Sequence, residues 1–159
     1  MEQKRVIIQY NEFPGNEGLQ ADERELLDHA IKAAANAYAP YSKFNVGAAV
    51  RLSNGEIISA SNQENAAYPS GLCAERVALF YANSTYPDAS VESIAIVAAV
   101  NGKLCNTPTY PCGACRQVMT ESQLRGGKPV KIIFGSESVT QIVYSTESIM
   151  PFAFDNLPE

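Results

Sequence analysis

Apolar residues recur along this chain at two different periods, and the two periods predict different elements. Helical spacing runs over 22–40, with Asp22 as the expected N-cap and Glu25 three residues later in capping-box position. The same period returns over 72–83 and over 116–124, where a Gly-Gly pair ends the run. The chain is therefore expected to form three helices.

Shorter apolar runs predict the strands. Two of them flank Asn54-Gly55, a strong signal for a tight hairpin, and 91–100 is continuously apolar, as is typical of a strand covered on both faces. The expected strands are 46–52, 56–61, 91–100, 130–134 and 140–144, with a further short extended piece over 5–10. Helices interleaved with strands in this order predict an α/β fold with helices on both faces of a mixed sheet.

Composition bounds the class of protein. The chain has 159 residues, 46% hydrophobic and 18% charged, which fits one domain over 22–159 preceded by an N-terminal extension, 1–21, packed on or near it. A net charge of −5 argues against a nucleic-acid or membrane partner, since both require clustered Lys and Arg. The apolar run near the start is too short for a signal peptide, and none approaches a membrane span, so we expect a soluble protein of the cytoplasm.

The four cysteines carry the candidate chemistry. Cys112 and Cys115 form a Cys-x-x-Cys pair, and Cys73 lies 112 − 73 = 39 positions earlier, at or near another helix start. In a reducing compartment such groups are metal ligands or redox groups more often than disulfides. Three thiolates can bind zinc tetrahedrally and leave the fourth position open, as catalytic sites do. As a fourth ligand we consider His29, better explained as a helix residue, and Cys105, better explained as an incidental free thiol.

Glu75 strengthens the catalytic interpretation. It follows Cys73 by two residues, which can hold a carboxylate close to the open position without making it a ligand. Neither feature is decisive alone, because glutamate is favoured in any first helical turn and Pro-Cys-x-x-Cys also occurs in redox motifs. A thiol oxidoreductase would leave Cys73 and Glu75 without a role, so the combination favours a zinc enzyme.

Four segments in a fixed order resemble the cytidine deaminase family, in its short-chain, three-cysteine, usually homotetrameric branch. The resemblance covers about 26–154 and rests on Tyr41-Ser42-Lys43-Phe44-Asn45-Val46-Gly47-Ala48-Ala49, Asn62-Gln63-Glu64-Asn65-Ala66-Ala67-Tyr68, Cys73-Ala74-Glu75-Arg76 and Pro111-Cys112-Gly113-Ala114-Cys115-Arg116-Gln117. It implies a three-layer α/β/α sandwich with a mixed five-stranded sheet. It also implies one Zn²⁺ per chain and hydrolytic deamination of cytidine and deoxycytidine in pyrimidine salvage, with Glu75 moving the protons.

The resemblance also assigns the remaining site residues. Those that match substrate-binding positions of the family are Phe44, Asn62, Glu64, Ala74 and Phe154, with Asn62 and Glu64 on the sugar 3′-hydroxyl. Arg76 matches an arginine that hydrogen-bonds the thiolates, although a solvated helix arginine is the alternative. Phe154 is expected to reach a neighbouring subunit's base, with Phe152 as the alternative, which implies a homotetramer with shared active sites. Tyr68 matches a position near the site.

Two alternatives stay open. Tyr110 precedes Pro111 where the family commonly has a small residue, so its side chain puts the substrate preference in doubt. One alternative is therefore a deaminase of the same fold that acts on an antibiotic or modified nucleoside. The other is a zinc-binding interaction domain without catalysis, which an intact Glu75 argues against. The residues do not rank cytidine against deoxycytidine.

Overall fold

A mixed sheet forms the centre of the molecule. The computed structural model describes residues 1–156. The strands in chain order are β1 (Asn11–Pro14), β2 (Phe44–Leu52), β3 (Ile57–Ser61), β4 (Val91–Val100), β5 (Lys103–Leu104), β6 (Lys131–Phe134) and β7 (Val139–Val143). They lie in the order β1-β7-β6-β4-β2-β3, with β5 paired to β4 and with β4 and β6 parallel. The mixed sheet is confirmed, but the count of five strands is wrong, because the short strands β1 and β5 join it.

Helices cover both faces of this sheet. They are α1 (Ala21–Ala34), α2 (Ala74–Thr85) and α3 (Gly113–Gly126), and within residues 1–156 none is long and apolar enough to cross a membrane. Side chains alternate along β4, so Ile94 and Ile96 pack in the core beneath α2 and α3 while Ala95 and Val97 pack in the core beneath α1. This burial on both faces explains the continuous apolar run.

Helix α1 differs from its prediction at both ends. Its N-cap is Gln20 rather than Asp22, and the backbone N–H of Gln20 donates to Glu23 Oε2 at 3.0 Å. The helix ends at Ala34, well before Pro40, because the chain turns to pair with residues 62–64. There the Tyr38 N–H donates to the Asn62 carbonyl, and the Tyr38 carbonyl accepts from the Glu64 N–H. This pairing fixes the helix end beside the predicted sugar-binding residues.

Gly47 sets the distance between α1 and β2. A Cβ at this position would lie 2.0 Å from the Ala30 carbonyl oxygen, so no larger residue fits without moving the helix away from the sheet. The close approach holds the N-terminal half of β2, and with it the loop before Phe44, against the helix.

The extended piece expected over 5–10 forms no strand. Strand β1 instead covers Asn11–Pro14, immediately after the expected piece, and pairs antiparallel with β7. Residues 1–10 are exposed and lie outside the regular elements, because the pairing edge of β7 extends only over Val139–Val143. The N-terminal segment therefore joins the sheet at its edge.

Candidate metal centre and active site

Two helix N-termini bring three cysteines together. Cys73 is the N-cap of α2, Cys112 is the N-cap of α3, and Cys115 lies fully buried in the first turn of α3. Their three Sγ atoms lie within 4.8 Å of one another, and those of Cys112 and Cys115 are 3.5 Å apart. The three predicted ligands thus converge on one point.

The cluster fits zinc by its spacing and by its donor chemistry. Zinc–sulfur bonds of about 2.3 Å in a tetrahedron place ligand sulfurs about 3.8 Å apart, close to the spacing seen here. Within residues 1–156 it is the one cluster of three His, Cys, Asp or Glu side chains able to hold a metal. His29 instead contacts Ser59 Oγ at 3.3 Å, and the backbone of Cys105 bonds to Ala98 and Glu137.

The electrostatics of the cluster favour a thiolate at Cys73 and a thiol at Cys115. A hydrogen bond from the Cys115 thiol, aided by Arg76, lowers the pKa of Cys73 to about 5. The same hydrogen bond, together with burial, raises the pKa of Cys115. Arg76 Nη2 lies 3.8 Å from Cys73 Sγ, and its buried Nε has no hydrogen-bond partner among the described residues. Two helix N-termini add partial positive charge, so the site stabilises negative sulfur.

Glu75 lies in the first turn of α2 and is almost entirely buried, with 4% of its surface exposed. Burial raises the pKa of its carboxyl, and the nearby charge of Cys73 raises it further. A raised pKa makes the carboxylate a stronger base, so that it takes up a proton more readily and can return it later. This property is what general acid–base catalysis needs.

A cleft of about 490 Å³ adjoins the cluster. Cys73 and Arg76 line it together with the predicted sugar-binding pair, Asn62 and Glu64. The volume is that of a small-molecule site. The structure therefore brings a metal ligand and the predicted sugar-binding pair, from separate segments of the chain, to one cavity.

Asn62 holds the start of β2, and Glu64 holds the loop before it. Asn62 Oδ1 accepts from the Val46 N–H at 2.7 Å, and its Nδ2 donates to the Phe44 carbonyl at 3.0 Å. Glu64 Oε2 accepts from the backbone N–H groups of Tyr41 and Ser42 at 2.9 and 3.2 Å. Hydrogen bonding to Ser42, with these backbone contacts, lowers the pKa of Glu64. Both side chains thus shape the wall of the cleft.

That loop contains a strained residue. Lys43 has a φ of 57°, a left-handed conformation that residues other than glycine seldom adopt. Its N–H donates to the Ala39 carbonyl at 3.0 Å, and Ser42 Oγ accepts from the Phe44 N–H at 3.1 Å. These bonds, with those of Glu64, compensate the strain, as is common beside functional sites.

Three predicted substrate residues do not line this cleft. Phe44 is half-buried at the start of β2, and Ala74 is fully buried at the start of α2. Phe154 is 67% exposed, and its carbonyl accepts from Gln117 Nε2 at 2.6 Å. The alternative, Phe152, is 87% exposed. Neither tail phenylalanine enters the cleft of its own chain.

Sequence reasoning left Tyr68 without a definite role and missed six residues that line the cleft: Tyr41, Ser42, Gln63, Asn65, Gly71 and Leu72. Tyr41 and Tyr68 meet edge to face with ring centroids 6.1 Å apart, and both line the cleft beside Ser42. The available signal was their place at the ends of two of the matching segments. Their rings add aromatic surface to a wall that also contains polar side chains and Leu72.

Comparison with known proteins decides the family. Residues 20–128, more than half of the chain, match the family model described as the cytidine and deoxycytidylate deaminase zinc-binding region. The chain belongs to this family.

Cytidine deaminases are also found among the individual proteins to which this chain is similar. It is 45% identical over 100 residues to a cytidine deaminase of Halalkalibacterium halodurans, covering 63% of this chain and 71% of the relative. It is 37% identical over 113 residues to one from Mycobacterium tuberculosis, covering 69% and 80%. A crystal structure of a cytidine deaminase from Burkholderia pseudomallei superposes with a TM-score of 0.70 at 35% identity, covering 82% of this chain and 98% of that one.

Proposed function

We propose that this deaminase converts cytidine and deoxycytidine to uridine and deoxyuridine with release of ammonia, a step of pyrimidine salvage. The observation that carries the proposal is the meeting of the three-cysteine cluster with the cleft that Asn62 and Glu64 line. The named activity of the relatives supports it, as does the zinc-binding region that the family model covers.

Cys73, Cys112 and Cys115 hold one zinc per chain. When bound, zinc supplies a Lewis acid that makes water nucleophilic near neutral pH. Glu75 takes a proton from the water and delivers it to N3 of the pyrimidine, which makes C4 electrophilic. The water oxygen bonds to C4, Glu75 carries the second proton from that oxygen to the amino nitrogen, and the C4–N bond breaks, so that cytidine and water become uridine and ammonia. Its raised pKa suits both transfers.

The remaining predicted residues bind or position the nucleoside. Asn62 and Glu64 line the cleft and recognise the sugar hydroxyl. Phe44, half-buried at the start of β2, and Ala74, buried at the start of α2, lie behind the cleft wall and position the base. Arg76 offsets the charge of the thiolates, which its position 3.8 Å from Cys73 Sγ supports. A polar pair of this kind also discriminates, because a substrate lacking the hydroxyl leaves it without a partner.

The active enzyme is proposed to be a homotetramer whose sites are shared between subunits. Large apolar side chains stay exposed on α2, on α3 and on the tail: Phe80, Tyr81, Leu124, Phe152 and Phe154. Phe154 lies outside its own cleft, as a residue that serves a neighbouring site would. Three reduced cysteines are required at the metal, which favours action in the cytoplasm.

We further propose that residues 22–159 form one deaminase domain and that 1–21 pack on it. The pairing of β1 with β7 and the start of the family match at residue 20 support this division. Residues 157–159 lie outside the described residues.

The decisive experiment is an ammonia-release assay on the purified protein with cytidine, deoxycytidine and a bulky aminoacyl-cytosine analogue, combined with zinc analysis. We expect turnover of both nucleosides and about one zinc per chain. Turnover of the analogue alone would shift the function to modified nucleosides. Full zinc content without release of ammonia from any of the three compounds would reject the deaminase function and favour a zinc-binding interaction domain.

Shared sites have a separate test. Subunits carrying Glu75→Ala are mixed with subunits carrying Phe154→Ala after mild dissociation. If Phe154 serves a neighbour, mixed oligomers contain sites with both residues intact, and activity rises above that of either parent. Recovery with Phe152→Ala in place of Phe154→Ala would transfer the role to Phe152. No recovery with either variant would indicate self-contained sites.

A further inference from the structure

A row of paired residues crosses three strands at one end of the sheet. Glu12 on β1 lies opposite Gln141 on β7, and Gln141 lies opposite Phe134 on β6. Residues directly opposite on antiparallel strands share a face, here the face that α2 and α3 cover. The strand that begins this row precedes the family match, which starts at residue 20.

Tyr110 lies across this row. Its ring meets Phe134 edge to face with centroids 5.2 Å apart and an interplanar angle of 76°. Its hydroxyl donates to Gln141 Oε1 at 2.7 Å, and Gln141 Nε2 donates to Glu12 Oε2 at 2.7 Å. A continuous chain of hydrogen bonds therefore runs from β1 to Tyr110.

The chemistry of these groups fixes which group donates and which accepts in each of these two hydrogen bonds. The carboxylate of Glu12 only accepts, so the amide of Gln141 must turn its NH₂ group toward Glu12. The Gln141 carbonyl then faces Tyr110, and the phenol must donate. Since Glu12 is charged, the first bond is the stronger kind, and it orients the second.

Tyr110 is two residues before the metal ligand Cys112. Two trans peptide units limit the distance between their Cα atoms to about 7.6 Å. The intervening Pro111 is buried, restricts the backbone, and accepts from Arg116 Nε through its carbonyl at 2.8 Å. Arg116 thus anchors this segment from α3, and the ring and hydroxyl of Tyr110 anchor it from the sheet.

We propose that Tyr110 is a positioning residue for the segment that carries Cys112, and that strand β1 sets its orientation through Glu12 and Gln141. The proposal rests on the proposed deaminase function for its kinetic readout, but not for its metal readout. It gives the N-terminal strand a role at the active site.

The test compares Tyr110→Phe, Glu12→Ala and the double variant in the full-length zinc protein. Tyr110→Phe removes the hydrogen bond to Gln141, and Glu12→Ala removes the hydrogen bond from Gln141. We expect each to speed zinc transfer to a chromophoric chelator about threefold and to raise the cytidine KM by a similar factor, with kcat within about twofold. The double variant should match Tyr110→Phe alone, because both changes release the same group. Glu12→Gln keeps an acceptor but loses the charge and the fixed direction, so its values should fall between those of wild type and Glu12→Ala.

Asn11→Ala is the matched control. Asn11 lies on the same strand, and its Nδ2 donates to the Tyr144 hydroxyl at 2.9 Å without contact to Tyr110. It should lower the melting temperature as much as Glu12→Ala and leave zinc transfer and KM unchanged.

Equal zinc transfer in Asn11→Ala and Glu12→Ala would overturn the proposal, as would additive effects in the double variant or wild-type rates in Tyr110→Phe. A wild-type protein that holds zinc but does not deaminate cytidine would reject the proposed function instead. In that case the rates of zinc transfer still decide the positioning role.

Discussion

The cysteine cluster and the proposed nucleoside cleft share Cys73, yet they are formed by different kinds of backbone structure. The cluster comes from two helix N-termini, with Cys115 and Glu75 buried beneath them. The cleft comes from irregular segments, 41–44 and 62–73, which hydrogen-bond to each other and stay open to solvent. Helix starts therefore carry the metal ligands and Glu75, and hydrogen-bonded irregular segments carry the proposed sugar-binding side chains.

This difference predicts different consequences of mutation. Changes in the cluster should abolish the reaction or the metal, because no neighbouring group can replace a buried ligand or carboxylate. Changes in the cleft should weaken binding and leave the metal in place. Four variants, each with a matched control, and one pH measurement test this contrast.

The largest effect is expected from Cys112→Ser. Serine is a good N-cap, so α3 should keep its start while the site loses one thiolate. We expect zinc content to collapse and activity to fall about a thousandfold or more, measured by metal analysis and ammonia release. Cys105→Ser, a change of the one cysteine outside the cluster, should keep both. Zinc loss in both variants would contradict the assignment of the ligands.

The second-largest effect is expected from Glu75→Gln. The substitution keeps the shape and removes the group that carries protons, so kcat should fall about 10²- to 10⁴-fold with zinc content unchanged. Glu92→Gln on the exposed side of β4 is the control and should be silent. Near-normal turnover in the Glu75 variant would remove this residue from the reaction.

Arg76 borders both regions, because it lies beside Cys73 Sγ and lines the cleft. Arg76→Gln should keep the fold and speed zinc loss about 10-fold or more, since groups that contact metal ligands contribute on this scale. Arg125→Gln, in the last turn of α3, is the control. An unchanged rate of zinc loss would make Arg76 a cleft residue only.

Glu64→Gln should have a smaller effect and of a different kind. The amide cannot accept from the substrate as well as the carboxylate does, so the cytidine KM should rise about 10-fold with kcat and zinc nearly unchanged. Glu56→Gln in the β2–β3 turn is the control. A fall in kcat without a change in KM would place Glu64 with the reacting groups and break the contrast.

The pH dependence of the cytidine KM tests the role of Glu64 further, and the expected effect is the smallest of the series. The pKa of Glu64 lies below its ordinary value of 4.5, so the carboxylate is charged both above that value and somewhat below it. The contribution of a group with a lowered pKa is lost only as pH falls through that lowered value. The ratio of KM between Glu64→Gln and wild type should therefore stay constant from pH 7 to pH 5.

Much of the site could be predicted from the sequence because its signals are local. The ligands and Glu75 are set by spacing along two helix starts, and helix N-termini form from local geometry. Strand β4 was predicted at its observed bounds, Val91–Val100, because a buried strand leaves a continuous apolar run. The turn at Asn54-Gly55 follows from the residues alone, with Gly55 at a φ of 88°.

Other features depend on partners that are distant in the chain. Helix α1 ends at Ala34 because Tyr38 pairs with residues 62–64, which no local pattern at 35–40 indicates. Strand β1 forms over Asn11–Pro14 because β7 offers an edge there, while the more apolar 5–10 finds no partner strand. Strand propensity is weak compared with the availability of a paired edge.

The amino-acid sequence alone predicts the ligand types, their spacing, the proposed acid–base carboxylate and the α/β order of elements, because these follow from local residue chemistry. Tertiary packing is what brings Asn62 to the start of β2, Glu64 to the loop before it, and Glu12 to Tyr110 through Gln141. Those contacts join residues far apart in the chain. A side chain's type limits which bonds it can make, but only the packed fold determines which partner it meets.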